Sequence, residues 1–86
     1  MESVIAVFRS RTETLSFVSI LKSYKIKVFV INTPRKANVS CGISAQFESA
    51  NLPLAQNIVS RRNFVSFAGF FRATIGSGRE INVVPI

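Results

Sequence analysis

Short β-rich and aromatic runs alternate with helical segments in this sequence, and their order predicts an α+β fold. Two segments with apolar residues at helical spacing predict helices, at residues 11–24 and 51–62. Four β-branched or aromatic runs predict strands, at residues 3–8, 25–31, 42–47 and 63–75. The order β-α-β-β-α-β predicts a ferredoxin-like two-layer sandwich, in which both helices cover one face of an antiparallel sheet.

The first helix has a clear start and an apolar stripe. Ser10 followed three residues later by Glu13 forms the pattern of a capping box. Leu15, Val18 and Leu21 recur at helical spacing, so we expect them to face the sheet.

The 86-residue length fits one domain, which we place at residues 1–72. Residues 73–86 form a C-terminal extension. Its "GSG" run at 76–78 predicts a turn, and the end of the chain is either an extra strand or a loose tail.

The predicted sheet has more apolar surface than the helices can cover. The first strand is apolar on both faces, with Val4, Ala6 and Phe8 on one and Ile5 and Val7 on the other. The fourth strand is similar, since one set of its residues must also face away from the helices: Phe64 and Phe70, or Val65, Phe67 and Phe71. A contiguous apolar patch usually marks an interface. We expect a homodimer to cover it, with residues 79–86 as the alternative cover.

The composition excludes several classes of function. The chain has a net charge of +7, no histidine and one cysteine, so neither a zinc site within one chain nor an internal disulfide is expected. No cofactor is implied, and no acid–base constellation points to an enzyme. No signal peptide and no run long enough to span a membrane is visible, so we expect a cytoplasmic protein.

The only cysteine, Cys41, lies in the loop between the second and third strands. A lone cysteine is most often a buried apolar filler. The predicted topology, however, gathers basic residues at the edge that bears this loop: Arg9, Arg11, Arg35, Lys36, Arg61 and Arg62. Nearby cations and the start of the first helix would lower the pKa of a thiol there and favour the reactive thiolate.

The loop also carries a motif. Pro34-Arg35, a short spacer and Ser40-Cys41-Gly42, followed by a strand that ends in Phe47, resemble the selenium/sulfur carrier protein-like family over residues 3–72. The resemblance implies that Cys41 carries sulfur or selenium as a persulfide or selenide adduct. Pro34, Arg35, Ser40 and Gly42 would form its setting.

Two functions therefore remain open. The first is a non-catalytic carrier whose partners would be a cysteine desulfurase or a selenium-delivery protein. The alternative is a basic binding module for RNA or an acidic protein, in which Cys41 is structural. Charge alone is a weak signal for nucleic acid, and the third strand, expected to expose Ser44 and Gln46, lacks the aromatic pattern of RNA-binding sheets.

Overall fold

A computed structural model describes residues 3–33, 42–75 and 81–86 and contains two helices on one face of a five-stranded antiparallel sheet. The α+β prediction is confirmed. The elements in chain order are β1 (Ser3–Phe8), α1 (Arg11–Ser23), β2 (Val28–Asn32), β3 (Ile43–Glu48), α2 (Leu52–Arg62, after a 3₁₀ turn at Ser49–Asn51), β4 (Phe67–Ile75) and β5 (Ile81–Pro85). No helix in this part of the chain is both long and apolar enough to cross a bilayer.

The strands lie in the order β2-β3-β1-β4-β5, so β3 runs between β1 and β2. Both β1 and β2 are antiparallel to β3, and their C-terminal ends therefore lie at the same edge of the sheet. The register places Val7 opposite Ser44 and Asn32 opposite Ile43 at this edge. We call it the loop edge, because residues 34–41 connect β2 to β3 there.

The helix-covered face holds the main core, in which phenylalanine rings contact one another. Phe17 of α1 lies with its ring centroid 5.2 Å from Phe8 and 6.2 Å from Phe47. All three side chains are buried. The buried side of α1 is centred on Phe17, so Leu15 is 47% exposed and its predicted core position is wrong.

A β-bulge changes the face to which Phe67 points. Val7 pairs with Gly69, but Phe8 pairs with Phe67, so β4 has one residue more than β1 at this point. The ring of Phe67 therefore lies in the helix-side core, with centroids 5.3 Å from Phe8 and 4.9 Å from Phe70. The prediction that Phe67 shares a face with Phe71 is wrong for this reason.

The opposite face of the sheet carries a smaller apolar cluster. Ile5, Val7 and Ala73 are buried there, with Ile31 and Phe71 packed against them. The centre of this face is thus buried within one chain, and the homodimer expected from it stays a prediction. The chain end does not fold across this face, because β5 pairs with β4 and extends the sheet.

Two strands begin later than predicted, because a residue with left-handed backbone follows each helix. Lys25 has φ 62° after α1, and β2 starts at Val28. Asn63 has φ 55° after α2, and β4 starts at Phe67 after a turn at 65–66. Each of these residues reverses the chain before the next strand can form.

Lys25→Gly is expected to stabilise the protein. A left-handed conformation costs a non-glycine residue roughly 1–2 kcal/mol, and glycine avoids most of this cost, so we expect a gain of about 1 kcal/mol. The backbone N–H of Lys25, which donates to the carbonyl of Lys22 at 2.9 Å, is retained. Urea denaturation with an unchanged m-value would measure the gain. Asn63→Gly is the matched control and should gain less, because asparagine tolerates this conformation. Equal stability of Lys25→Gly and wild type would contradict the assigned strain.

Candidate functional site

The structure describes three of the residues predicted for the site: Arg9, Arg11 and Gly42. All three are exposed and lie at or beside the loop edge. The other predicted site residues lie outside the described part of the chain: Pro34, Arg35, Lys36, Ser40 and Cys41. The site is therefore built here from the residues that surround the loop.

Two hydrogen bonds join the chain segments on either side of residues 34–41. The backbone N–H of Thr33 donates to the carbonyl of Gly42 at 3.1 Å. The hydroxyls of Thr33 and Ser44 are 2.7 Å apart and share a hydrogen bond. Ser44 is fully buried, contrary to the prediction that it is exposed, because it lies between β1 and β2 and bonds to Thr33. The base of the loop is thus a fixed point of the sheet.

Gly42 is required for its backbone conformation rather than for lack of space. Its φ is +91°, a region that L-residues rarely adopt. A Cβ added there would meet no atom within 4 Å.

Ser66, which the sequence analysis did not single out, connects three elements at the loop edge. Its carbonyl accepts the backbone N–H of Arg9 at 2.8 Å, and its hydroxyl accepts the N–H of Ser10 at 3.2 Å. Its own N–H donates to Glu13 at 2.8 Å, and its hydroxyl also donates to that carboxylate. Ser66 thus fixes the turn before β4 to the junction of β1 and α1.

Glu13 forms only half of the predicted capping box. Its N–H donates to the hydroxyl of Ser10 at 3.3 Å, as the pattern requires. Its carboxylate, however, accepts hydrogen bonds from the backbone of the 65–66 turn. The N–H of Ser10, which a complete capping box would direct to this carboxylate, donates to the hydroxyl of Ser66 instead. The pKa of Glu13 lies below its ordinary value because its carboxylate accepts hydrogen bonds, of which that from the Ser66 hydroxyl has the largest effect. The backbone N–H of Ser66 and, more weakly, that of Val65 act in the same direction, while desolvation of the carboxylate raises the pKa.

Four exposed arginines lie near the hydrogen bonds between Ser66 and Glu13. Arg9 and Arg11 flank the start of α1, and Arg61 and Arg62 form the last turn of α2. The Ser66 hydrogen bonds hold the end of α2 close to the start of α1, so the four lie at the loop edge. Among the described residues, Glu13 is the only acid at this edge, since Glu48 ends β3 at the opposite one.

The same part of the chain offers no group of three His, Cys, Asp or Glu side chains that could hold a metal ion. The described side chains of the loop edge are arginines, hydroxyls and one carboxylate that is already hydrogen-bonded. This chemistry suits the binding of anions.

The protein is thus a small α+β domain in which arginines line one edge of the sheet. At this edge, hydrogen bonds from Thr33 to Gly42 and Ser44 join the two ends of a loop. The chain belongs to the family described as "Putative Se/S carrier protein-like", whose model matches residues 3–72. The matched span includes the loop with Cys41 and ends within β4, so β5 lies beyond it. Comparison with curated proteins and with solved structures gave no match.

Glu13→Gln should remove a pH dependence of stability. Because the pKa of Glu13 is lower in the folded protein, its contribution is fully present above the unfolded pKa of about 4.3. It is lost as the pH falls through the lower folded value. Thermal melts of wild type between pH 6 and about pH 3 should therefore show a loss of stability that is smaller in Glu13→Gln.

The variant should also be less stable than wild type near neutral pH, because a neutral amide accepts the Ser66 hydrogen bonds more weakly than a carboxylate. Glu48→Gln, which removes the same charge without touching Ser66, is the control. The assigned role of Glu13 is wrong if both variants follow the same pH profile.

Proposed function

We propose that this protein carries a sulfur or selenium atom on Cys41 and passes it to a second protein. The family match carries the proposal, because the matched span, residues 3–72, includes the chain's only cysteine. A cysteine desulfurase or a selenium-delivery protein is the proposed donor. The protein itself would be a carrier rather than an enzyme.

The chemistry needs two thiol exchanges and no cofactor. The Cys41 thiolate attacks the outer sulfur of a persulfide on the donor, a new S–S bond forms, and the donor's inner sulfur leaves as a thiolate. In the second step an acceptor thiolate attacks the outer sulfur on Cys41, and the Cys41 thiolate leaves. No net oxidation or reduction occurs, and one sulfur atom has moved. Selenium would move in the same way as the outer atom.

Two features of the loop edge support this role. A carrier thiol has to reach two partners in turn, and the bonds from Thr33 to Gly42 and Ser44 supply a fixed base for the segment that bears it. The exposed arginines at the same edge supply the positive potential that favours a thiolate. Because each partner can supply its own acid and base, the absence of histidine from the chain is compatible with this chemistry.

The alternative, an RNA-binding sheet, has little support among the described residues. RNA-binding sheets of this topology stack bases on exposed aromatic side chains of their central strands. Here Ile5 and Val7 of central β1 are buried, and Gln46 of β3 donates to the hydroxyl of Ser3 at 2.8 Å. Phe29, 61% exposed, lies on the outer strand β2.

Incubation with a cysteine desulfurase and cysteine should load one sulfur atom on Cys41. Intact-protein mass spectrometry should show a gain of one sulfur atom that a thiol reductant reverses. Cys41→Ser is the matched control and should show no gain, since it removes only the nucleophilic atom. An equal gain in both proteins, or none in wild type with any donor, would refute the carrier role.

The thiol of Cys41 should be alkylated with a midpoint pH below that of free cysteine, about 8.5. Arg35→Ala should raise this midpoint, because it removes a cation from the loop itself. Arg72→Ala removes the same charge from β4, toward the opposite edge, and should leave the midpoint nearly unchanged. The rate of iodoacetamide alkylation, measured against pH at low ionic strength, decides between these outcomes. A wild-type midpoint at or above that of free cysteine would contradict the prediction.

A further inference from the structure

The loop edge carries charges that the fold itself does not use. Arg9, Arg11, Arg61 and Arg62, hereafter the arginine edge, are all exposed. Within the part of the chain that the structure describes, none of them forms an ion pair. The nearby carboxylate of Glu13 accepts hydrogen bonds from the turn at Val65 and Ser66 instead. The four guanidinium groups thus lack a counter-charge from this part of the chain.

Among the described residues, four of the five arginines lie at the loop edge, and the three lysines lie at the opposite edge. The opposite edge carries Lys22, Lys25 and Lys27, together with the acid Glu48. Guanidinium groups bind carboxylates and phosphates through two parallel hydrogen bonds, whereas a lysine ammonium acts as a point charge. Within the described part of the chain, the arginine edge is therefore the surface best suited to specific recognition of carboxylates or phosphates.

An exposed apolar residue lies next to these charges. Val65 is 88% exposed, three residues after Arg62, and its backbone N–H donates to Glu13 at 3.3 Å. Its neighbour Ser66 bonds to Arg9, Ser10 and Glu13, so the turn that presents Val65 is held in place. An exposed apolar side chain on a held turn, with arginines nearby, has the composition of a protein interface, where an apolar centre is enclosed by polar residues.

We propose that the arginine edge, centred on Val65, is a docking surface for a protein patch that has acidic residues around an apolar centre. The exposed valine favours a protein over RNA, because phosphate contacts need no apolar anchor and, among the described residues of this edge, no aromatic side chain is exposed for stacking on bases. This docking surface rests on the proposed function in one respect: the docked partner would be the protein that gives sulfur to Cys41 or takes sulfur from it.

The matched pair of variants separates local recognition from net charge. The edge variant replaces Arg9, Arg11, Arg61 and Arg62 by glutamine. The control variant has glutamine in place of four other exposed basic residues, which lie at or toward the opposite edge: Lys22, Lys25, Lys27 and Arg72. Each loses four positive charges and falls from +7 to +3. Thermal melts first confirm that both fold; the hydrogen bond from Arg9 to Ser66 uses the backbone and survives the substitution.

Three probes report on the surface at low ionic strength. The first is a capped peptide of glutamates and serines with a leucine at its centre. The second has serine in place of that leucine, and the third is a single-stranded oligouridylate of equal charge. NMR titration measures the affinity of each and maps it to backbone amides, including those of Arg9, Val65 and Ser66.

The proposal expects the leucine peptide to bind tightest and to shift the amides of Val65 and Ser66. The edge variant should lose about tenfold in affinity or more, because it loses four exposed ion pairs that each contribute little but add up. The control variant should lose no more than about threefold, because its charges lie away from the bound peptide. Val65→Ser should bring the leucine peptide to the affinity of the serine peptide. Equal losses in both charge variants, or tighter binding of the oligouridylate than of either peptide, would overturn the proposal.

Failure of the docking surface and failure of the carrier role are distinguishable. Cys41→Ser should bind the leucine peptide as wild type does, because the surface does not include the thiol. If the edge variant alone loses the peptide while Cys41 takes up no sulfur, the surface stands without the carrier role. If Cys41 is loaded at equal rates in both charge variants and both bind the peptide alike, the carrier role stands without the surface.

Discussion

The hydrogen bonds of Ser66 and Glu13 hold together the edge of the sheet on which any function of the loop depends. Ser66 lies in the turn just before β4, and its partners lie in the junction between β1 and α1 and in the first turn of α1. The same carboxylate also accepts the N–H of Val65, so three backbone donors of the junction are satisfied by two side chains. Removing either side chain would leave partly buried polar groups without partners, which costs more than the bonds themselves contribute.

The bulge next to this network is coupled to it. Between Val7 and Phe8 the register with β4 shifts by one residue, which brings Phe67 to the helix side of the sheet. Phe67 follows Ser66 directly, so the same short segment fixes the polar junction and fills the core beside Phe8. A bulge at the end of a strand also increases its local twist. Core packing and the position of the loop edge thus depend on one another.

Sequence patterns predicted the elements and their order well, because each depends on residues close together in the chain. Ser10 and Glu13 marked the start of α1, and the β-rich run at 3–8 coincides with β1. The patterns failed where a contact between residues far apart in the chain determines the partner or the orientation of a side chain. The bond between Glu13 and Ser66 joins residues 53 positions apart, and the bulge that turns Phe67 inward exists only in the pairing of β4 with β1. Ser44 is buried for a similar reason, since its partner Thr33 lies on the other side of the loop, just after the end of β2.

The candidate site could be predicted to the extent that topology alone assembles it. The order of elements brings the ends of β1, β2 and α2 to one edge, and it thereby collects arginines that are far apart in the sequence. The role of Glu13 could not be predicted in this way. The sequence predicted only a capping box with Ser10 for this residue, but its carboxylate oxygens accept hydrogen bonds from the 65–66 turn. A carboxylate used for structure leaves the described arginines without an ion-pair partner in this part of the chain, and the proposed carrier role would use them to recognise the protein with which Cys41 exchanges sulfur.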